Sequence, residues 1–479
     1  MSVLIKGGEV INANKTVRRA DVLISGEGIA GVGDFSSYKA EKTIDASGCF
    51  VVPGFIVPIS SDKHMTLFDD PLREELLLSG ITTGVLGCSG FSVAPTNYGE
   101  LDSIYPWHSD GRDNADWRST GEFLSAMSVV GPGINLASVS GYSTMRRTIT
   151  GEYRELAGKE MDVLRHIFSK SLKEGSFGLS FLTDEFSLKE FPDLADSLKE
   201  SSLWISSLLL EDNVAILDEL KNKSLKGIVF SNSFFYGSKS VEKILKAISE
   251  IRQFPRYFSV NPFPEAEITF ADIFGSQLFK YRTLEFIEKM DGKRIRNTVS
   301  KFLAKVPSDK IFIANAPSQY KFLLGKSLSE FAGNRLISAE EGILRLFDIS
   351  KGKMSFFAAI NDIGTIKELL VQDNAFVEGH WDPMAKLSPV HDRLRLSVSE
   401  FIKIGRELKL DTASIYHKLS AVPAKALGLD KRGEIKTGHV ADLVIMSGDK
   451  VRDCFVSGAH SVTDGAITGE KNGKVLRNV

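Results

Sequence analysis

Val51-Val52-Pro53-Gly54-Phe55-Ile56-Val57-Pro58-Ile59-Ser60-Ser61 is the stretch on which the architecture turns. It is a buried β-run that passes through Pro53-Gly54 and runs on to a pair of serines, with no helical spacing in it. Upstream, Val3-Leu4-Ile5, Val10-Ile11, Val22-Leu23-Ile24 and Ile29-Ala30-Gly31-Val32 are short β-prone runs. Gly7-Gly8 and Gly26-Glu27-Gly28 punctuate them as turns. The far end of the chain looks alike, with Ala441-Asp442-Leu443-Val444-Ile445-Met446, Cys454-Phe455-Val456 and Ser461-Val462. Two β-rich ends around a long centre predict one small sheet domain built from both termini.

Downstream of the run, strand and helix alternate. The apolar spacing predicts helices over 159–173, 194–200, 215–221 and 241–251, and strands over 177–181, 203–210 and 227–231. Repeated β-then-α predicts a parallel sheet covered by helices. The fold class is therefore α/β: a (β/α)8 TIM barrel over 53–424 with a small β-sandwich domain composed of 1–52 and 425–479. Periodicity alone leaves an open sheet as the alternative.

At 479 residues, the chain is long enough for a barrel and a smaller domain. The 59 basic and 61 acidic residues nearly cancel, which gives no electrostatic reason to expect nucleic acid or an anionic membrane. Cys49, Cys88 and Cys454 are odd in number and far apart, so a reduced compartment is expected rather than a disulfide framework. No apolar run reaches the ~18 residues of a membrane span, and the first residues lack a signal-peptide core. A cytoplasmic protein is expected, and a homo-oligomer is compatible with it.

Several blocks, in order along the chain, resemble the N-acyl-D-amino-acid deacylase (D-aminoacylase) branch of the amidohydrolase superfamily. They are Pro53-Gly54-Phe55-Ile56, then Gly80-Ile81-Thr82-Thr83 with Gly87-Cys88-Ser89-Gly90-Phe91-Ser92-Val93-Ala94-Pro95. Gly131-Pro132-Gly133-Ile134-Asn135 and Gly141-Tyr142-Ser143-Thr144-Met145-Arg146 follow, and then Glu174-Gly175-Ser176-Phe177-Gly178-Leu179-Ser180. Asn261-Pro262-Phe263, Ala424-Lys425-Ala426-Leu427-Gly428-Leu429 and Ala441-Asp442-Leu443-Val444 complete the pattern. The resemblance implies a metal-type TIM barrel with a sandwich made from both ends. It also implies a small insertion near 270–305.

In that family a cation activates water and polarises the scissile amide, and an aspartate shuttles the proton. Carried over residue by residue, the paired histidines of the first strand fall on Ile59 and Ser61 and the cysteine ligand on Ser89. Tyr142 stands for a glycine-flanked histidine, the histidine of a T-H-x-R motif falls near Ser207, and that of an S-H-L-K motif falls on Asn232. The catalytic aspartate falls on His380 or, with a small gap, on Asp382. Aliphatic, hydroxyl and amide side chains are poor zinc ligands beside imidazole and thiolate. The family implies zinc; with these ligands missing, no metal and no cofactor are expected. Cys88, one residue early, is expected to point away from the site.

Ser89, Tyr142, Arg146, Asn232 and His391 remain as candidate substrate-binding groups, with a guanidinium able to grip a carboxylate. His380 and Asp382 remain as candidate catalytic groups, and Asp62 and His64 are near enough in sequence to join them in a rebuilt site. The expectation is a degenerate amidohydrolase that binds a small-molecule amide or acyl amino acid, or serves as a scaffold. The alternative is a hydrolase of amide C–N bonds working through the rebuilt site.

Overall fold

The computed structural model describes residues 2–12, 14–59, 70–96, 116–151, 154–183, 187–198, 201–207, 214–221, 223–231, 241–274, 292–379 and 397–478. Eight parallel strands form the centre. They are β1 (Phe55–Pro58), β2 (Ile81–Leu86), β3 (Asn135–Ser138), β4 (Gly178–Thr183), β5 (Ser202–Ser207), β6 (Gly227–Ser231), β7 (Arg256–Val260) and β8 (Ala375–Val377). β1, β2 and β3 pair in order. The short strand Ser140–Gly141, just past β3, pairs with β4, and pairing runs on through β8. A parallel bridge between Ile59 and Gly379, with the Gly379 N–H donating to Pro58 O at 2.9 Å, joins β8 back to β1. The sheet is closed, so the architecture is a TIM barrel.

Alternation along the strands sorts their side chains into two layers. Ile56, Val85, Ala137, Trp204, Val229 and Phe376 fill the barrel interior. Their neighbours Phe55, Val57, Leu136, Leu203, Ile205, Phe230 and Val377 belong to the layer under the helices. The strand over 227–231 lies where its spacing predicts. The helices Gly158–Lys173, Val214–Leu220 and Val241–Glu250 fall within a residue of expectation. The helix expected over 194–200 instead occupies Ser187–Ala195, ahead of a 3-10 turn at Asp196–Leu198. Pro192 lies inside that helix and reads in the sequence as a breaker.

Both ends of the chain form one nine-stranded sheet, joined where Leu443–Ser447 pairs antiparallel with Phe50–Pro53. Leu443 and Ile445 point to this domain's own core, while Val444 and Met446 point to the barrel side. Gly54 carries the chain from this sheet into β1. A Cβ there would overlap the Thr82 side chain, so the crossing needs glycine.

Between β7 and β8 the chain builds a three-stranded antiparallel sheet, with Ser355–Ala359 between Glu265–Thr269 and Ile311–Asn315. It has its own core, in which Phe270 lies edge-on to Phe347 and Phe356, each at 5.0 Å. The insertion expected near 270–305 is thus part of a unit reaching from Glu265 to Ala359. Its later strands complete a sheet whose first strand lies before position 270, a pairing that sequence spacing does not encode. Among the described residues, no helix is long and apolar enough to cross a membrane.

Candidate functional site

The inner wall at the C-terminal end of the barrel changes from apolar to polar within one layer. On β5 the inward residue after Trp204 is Ser206, whose hydroxyl donates to Cys88 O at 3.5 Å. Glu378 directly follows β8 and lies one layer above Phe376. Its Oε2 accepts from Ser259 of β7 at 2.7 Å and from Ser231 of β6 at 3.2 Å. The carboxylate is 6% exposed. Three strands thus converge on one buried acid that the resemblance does not assign. The signal for it was an acidic residue set directly against the apolar run Ala375-Phe376-Val377.

Cys88 reverses an expectation. Its side chain belongs to the interior cluster with Val85 and Trp204. Gly87, at φ +80°, breaks the strand geometry after β2, so alternation does not carry through to position 88. Burial first, and then the charge of Glu378, push the thiol well above its ordinary range. It is a protonated sulfur at neutral pH, donating weakly to Val85 O at 3.7 Å. Beside it, the buried Ser89 Oγ has no hydrogen-bond partner. Thr183 Oγ1, at the end of β4, has none either.

Ile59 also departs from its expected direction. Phe55, Val57 and Ile59 all belong to the outer layer, as period-two alternation requires. A Cβ at Gly84 would lie 3.1 Å from Ile59 Cδ1 and 3.3 Å from Ile134 Cδ1. This position packs the barrel wall, and the missing β-carbon of Gly84 makes room for it.

Tyr142 and Arg146 are not at the mouth. Tyr142 is fully buried in the outer layer, its ring 4.8 Å from Phe181, and its hydroxyl donates to Glu190. Arg146 Nε pairs with Glu190 Oε2 at 3.1 Å, and its Nη2 donates to Arg154 O. The Leu156 N–H donates to Glu190 Oε1 at 2.8 Å. Burial pushes the Glu190 carboxyl up, to about 7, against the Leu156 bond that lowers it. Sequence reasoning missed Glu190 because it sits next to the misleading Pro192. The network ties helix Tyr142–Thr150 to helix Ser187–Ala195 and engages the groups that were expected to bind substrate.

The motif around Ser89 has a structural role as well. Gly90 N donates to Ser180 Oγ at 3.0 Å, and Ser143 N donates to Gly90 O at 2.9 Å. Ser92 Oγ accepts from Gly141 N at 2.8 Å, and Ser92 N donates to Thr144 Oγ1 at 2.9 Å. This loop is bolted to the start of helix Tyr142–Thr150. Ser61, Asn232, His380, Asp382 and His391, with Asp62 and His64, lie outside the described residues. Ser207 ends β5, in register with Thr183.

The zinc implied by the resemblance would draw on positions 61, 62, 64, 232, 380 and 382, which lie outside the described residues. Among the described residues, Cys88 and Glu378 are the thiol and the carboxylate of the inner wall. Among the described residues no three His, Cys, Asp or Glu side chains gather in a metal-holding group. Zinc sites take at least three protein ligands, with thiolate rather than thiol sulfur.

Comparison with known proteins places the molecule. No protein-family model matches the chain. A D-aminoacylase from Alcaligenes xylosoxydans xylosoxydans is 23% identical over 508 residues, covering 99% of this chain and 97% of the relative. An N-acyl-D-aspartate deacylase from the same organism is 24% identical over 515 residues, covering 99% and 94%. A solved D-aminoacylase, studied for its binuclear metal centre, superposes with a TM-score of 0.76 at 20% identity and 99% coverage of both chains. The N-acyl-D-glutamate deacylase of Bordetella bronchiseptica, solved with zinc and a phosphonate inhibitor, gives 0.75 at 19% identity, again over 99% of each. The chain thus has the fold of the solved D-aminoacylases and resembles D-aminoacylases and N-acyl-D-amino-acid deacylases in sequence over nearly its whole length.

Proposed function

We propose that this chain uses a D-aminoacylase-type barrel to bind a small molecule and does not carry out the metal-assisted amide hydrolysis of its relatives. The observation that carries the reading is the inner wall among the described residues: one thiol and one serine-held carboxylate, with an aliphatic Ile59 turned into the outer layer. The surviving motifs support it, because their side chains are engaged in bolting loops to helices. The three cysteines are free and buried, which suits the reduced, cytoplasmic setting expected from the sequence. A scaffolding role and a homo-oligomer remain compatible with the reading.

A second reading keeps hydrolysis of amide C–N bonds through a site rebuilt around His380 and Asp382. What favours it is Glu378, a buried carboxylate two residues before His380. A panel of N-acyl-D-amino acids, assayed with and without added zinc, separates the two. The binding reading predicts no turnover above the uncatalysed rate under either condition. Zinc-dependent turnover overturns it; zinc-independent turnover lost in His380→Ala and Asp382→Ala establishes the second reading.

A further inference from the structure

The sheet domain holds a charged cluster in which both ends of the chain meet. Strand Lys42–Asp45 lies off the main path of the nine-stranded sheet and pairs there with Ser2–Ile11. Strands Lys450–Val456 and Ala459–Thr463, from the other end of the chain, pair with each other. His460 stands between the two groups. Its Nδ1 is 2.8 Å from Lys42 Nζ, and its Nε2 is 2.8 Å from Asp453 Oδ1. The ring stacks on Phe455 at 4.3 Å, which fixes its plane. Asp453 is 2% exposed and also accepts from Arg452 Nε at 2.6 Å. Burial pushes the Asp453 carboxyl up, but the hydrogen bonds from His460 and Arg452 hold it below its ordinary value. Thr463 Oγ1 lies 3.1 Å from Nε2 and 3.3 Å from Nδ1. Arg452 Nη1 turns to Cys49 Sγ at 3.5 Å, and Asp45 and Asp464 act on that guanidinium by charge.

These contacts fix the tautomer. An ammonium only donates, so Nδ1 accepts from Lys42; a carboxylate only accepts, so Nε2 carries the proton. A second proton has one place to go, Nδ1, where it meets the Lys42 ammonium at 2.8 Å as a second donor of the same charge. We infer that His460 is a proton-operated latch between the two ends of the chain, holding Lys42 while neutral and releasing it once protonated. Asp453 keeps the imidazolium in place, and Thr463 Oγ1 takes the new Nδ1–H after Lys42 leaves. The latch is closed above the range in which imidazoles ordinarily titrate and open below it. Opening parts strand Lys42–Asp45 from the C-terminal strands and leaves it to its pairing with Ser2–Ile11.

The test is amide hydrogen exchange on the full chain at about pH 7.5 and about pH 5.5, read as protection factors so that the intrinsic pH dependence of exchange drops out. In wild type, protection over residues 42–45, taken relative to β6, is expected to fall about tenfold on acidification. Lys42→Met keeps the aliphatic stem and removes the donor. It is expected to show the lower protection at both pH values, with no further fall. His460→Gln offers an amide oxygen to Lys42 and an N–H to Asp453 and does not titrate, so its protection is expected to stay flat; should Lys42→Met loosen the whole sheet, this variant carries the test. Protection that does not change with pH in wild type overturns the latch. The same fall in His460→Gln as in wild type also overturns it, because the proton then acts elsewhere. A long-range proton–nitrogen spectrum at about pH 7.5 reads the tautomer directly. A His460 ring protonated at Nε2 alone supports the latch, and one protonated at Nδ1 overturns it.

Discussion

Asn135 is fully buried at the first position of β3, with every polar atom engaged. Its Nδ2 donates to Thr82 O at 3.0 Å and to Asp442 Oδ1 at 3.1 Å. Its Oδ1 accepts from Ser457 Oγ at 3.1 Å and Lys474 N at 3.0 Å. Asp442 also pairs with Arg432 and accepts from Ser457 N at 2.7 Å. One side chain thus staples the C-terminal strands to the barrel. Asn135→Ala is expected to destabilise the protein by about 2 to 4 kcal/mol in urea unfolding, since it orphans several buried groups at once.

His417 sets a pH dependence. Burial first, then the charges of Lys15, Lys425 and Lys418, push its imidazole down to about 4 from 6.5, with Asp373 acting weakly the other way. The unfolded chain binds the proton more readily between those values, so stability is lost as pH falls from 6.5 towards 4. His417→Gln is expected to flatten the melting temperature across that window; an unchanged slope contradicts the assignment. At this scale the sequence was legible where a residue's partners are backbone or close neighbours. It was opaque for Glu378 and Glu190, whose partners come from other strands and helices.

Among the elements, the loop after β2 is the most tightly specified. A Cβ at Gly141 would lie 2.6 Å from Gly90 O and 2.6 Å from the Phe91 carbonyl carbon, both backbone atoms that cannot swing away. Gly141→Ala is expected to cost about 1 to 3 kcal/mol by separating the loop from helix Tyr142–Thr150. In the insertion, Phe270 is fully buried among other phenylalanine rings. Phe270→Ala is expected to cost about 3 to 5 kcal/mol. Local amide exchange should rise over 265–359 before it rises in the barrel strands. Strands β4 to β6 and the helices that follow β5 and β6 were legible because each is a short periodic run followed by a break. The mouth was less so, because which residue faces inward depends on where alternation stops. Gly87 stops it before Cys88, whereas β1 keeps it through Ile59, and both facts come from backbone geometry.

For the whole molecule, the two β-rich ends and the alternating centre carried the architecture, and the ordered motif blocks carried the resemblance. Those blocks turn out to be framework: Asn135 and Asp442 join the domains, and Gly90, Ser92 and Gly141 join a loop to a helix. A framework can persist while the chemistry on its inner wall changes, because stability and catalysis draw on different side chains. The proposal at the centre of this account, a D-aminoacylase-like barrel that holds no zinc, is tested most directly by metal analysis of the purified, zinc-exposed and desalted protein. The account predicts zinc far below one ion per chain and no rise in melting temperature on zinc addition. Zinc retained at one or more ions per chain, with a matching rise in melting temperature, contradicts it.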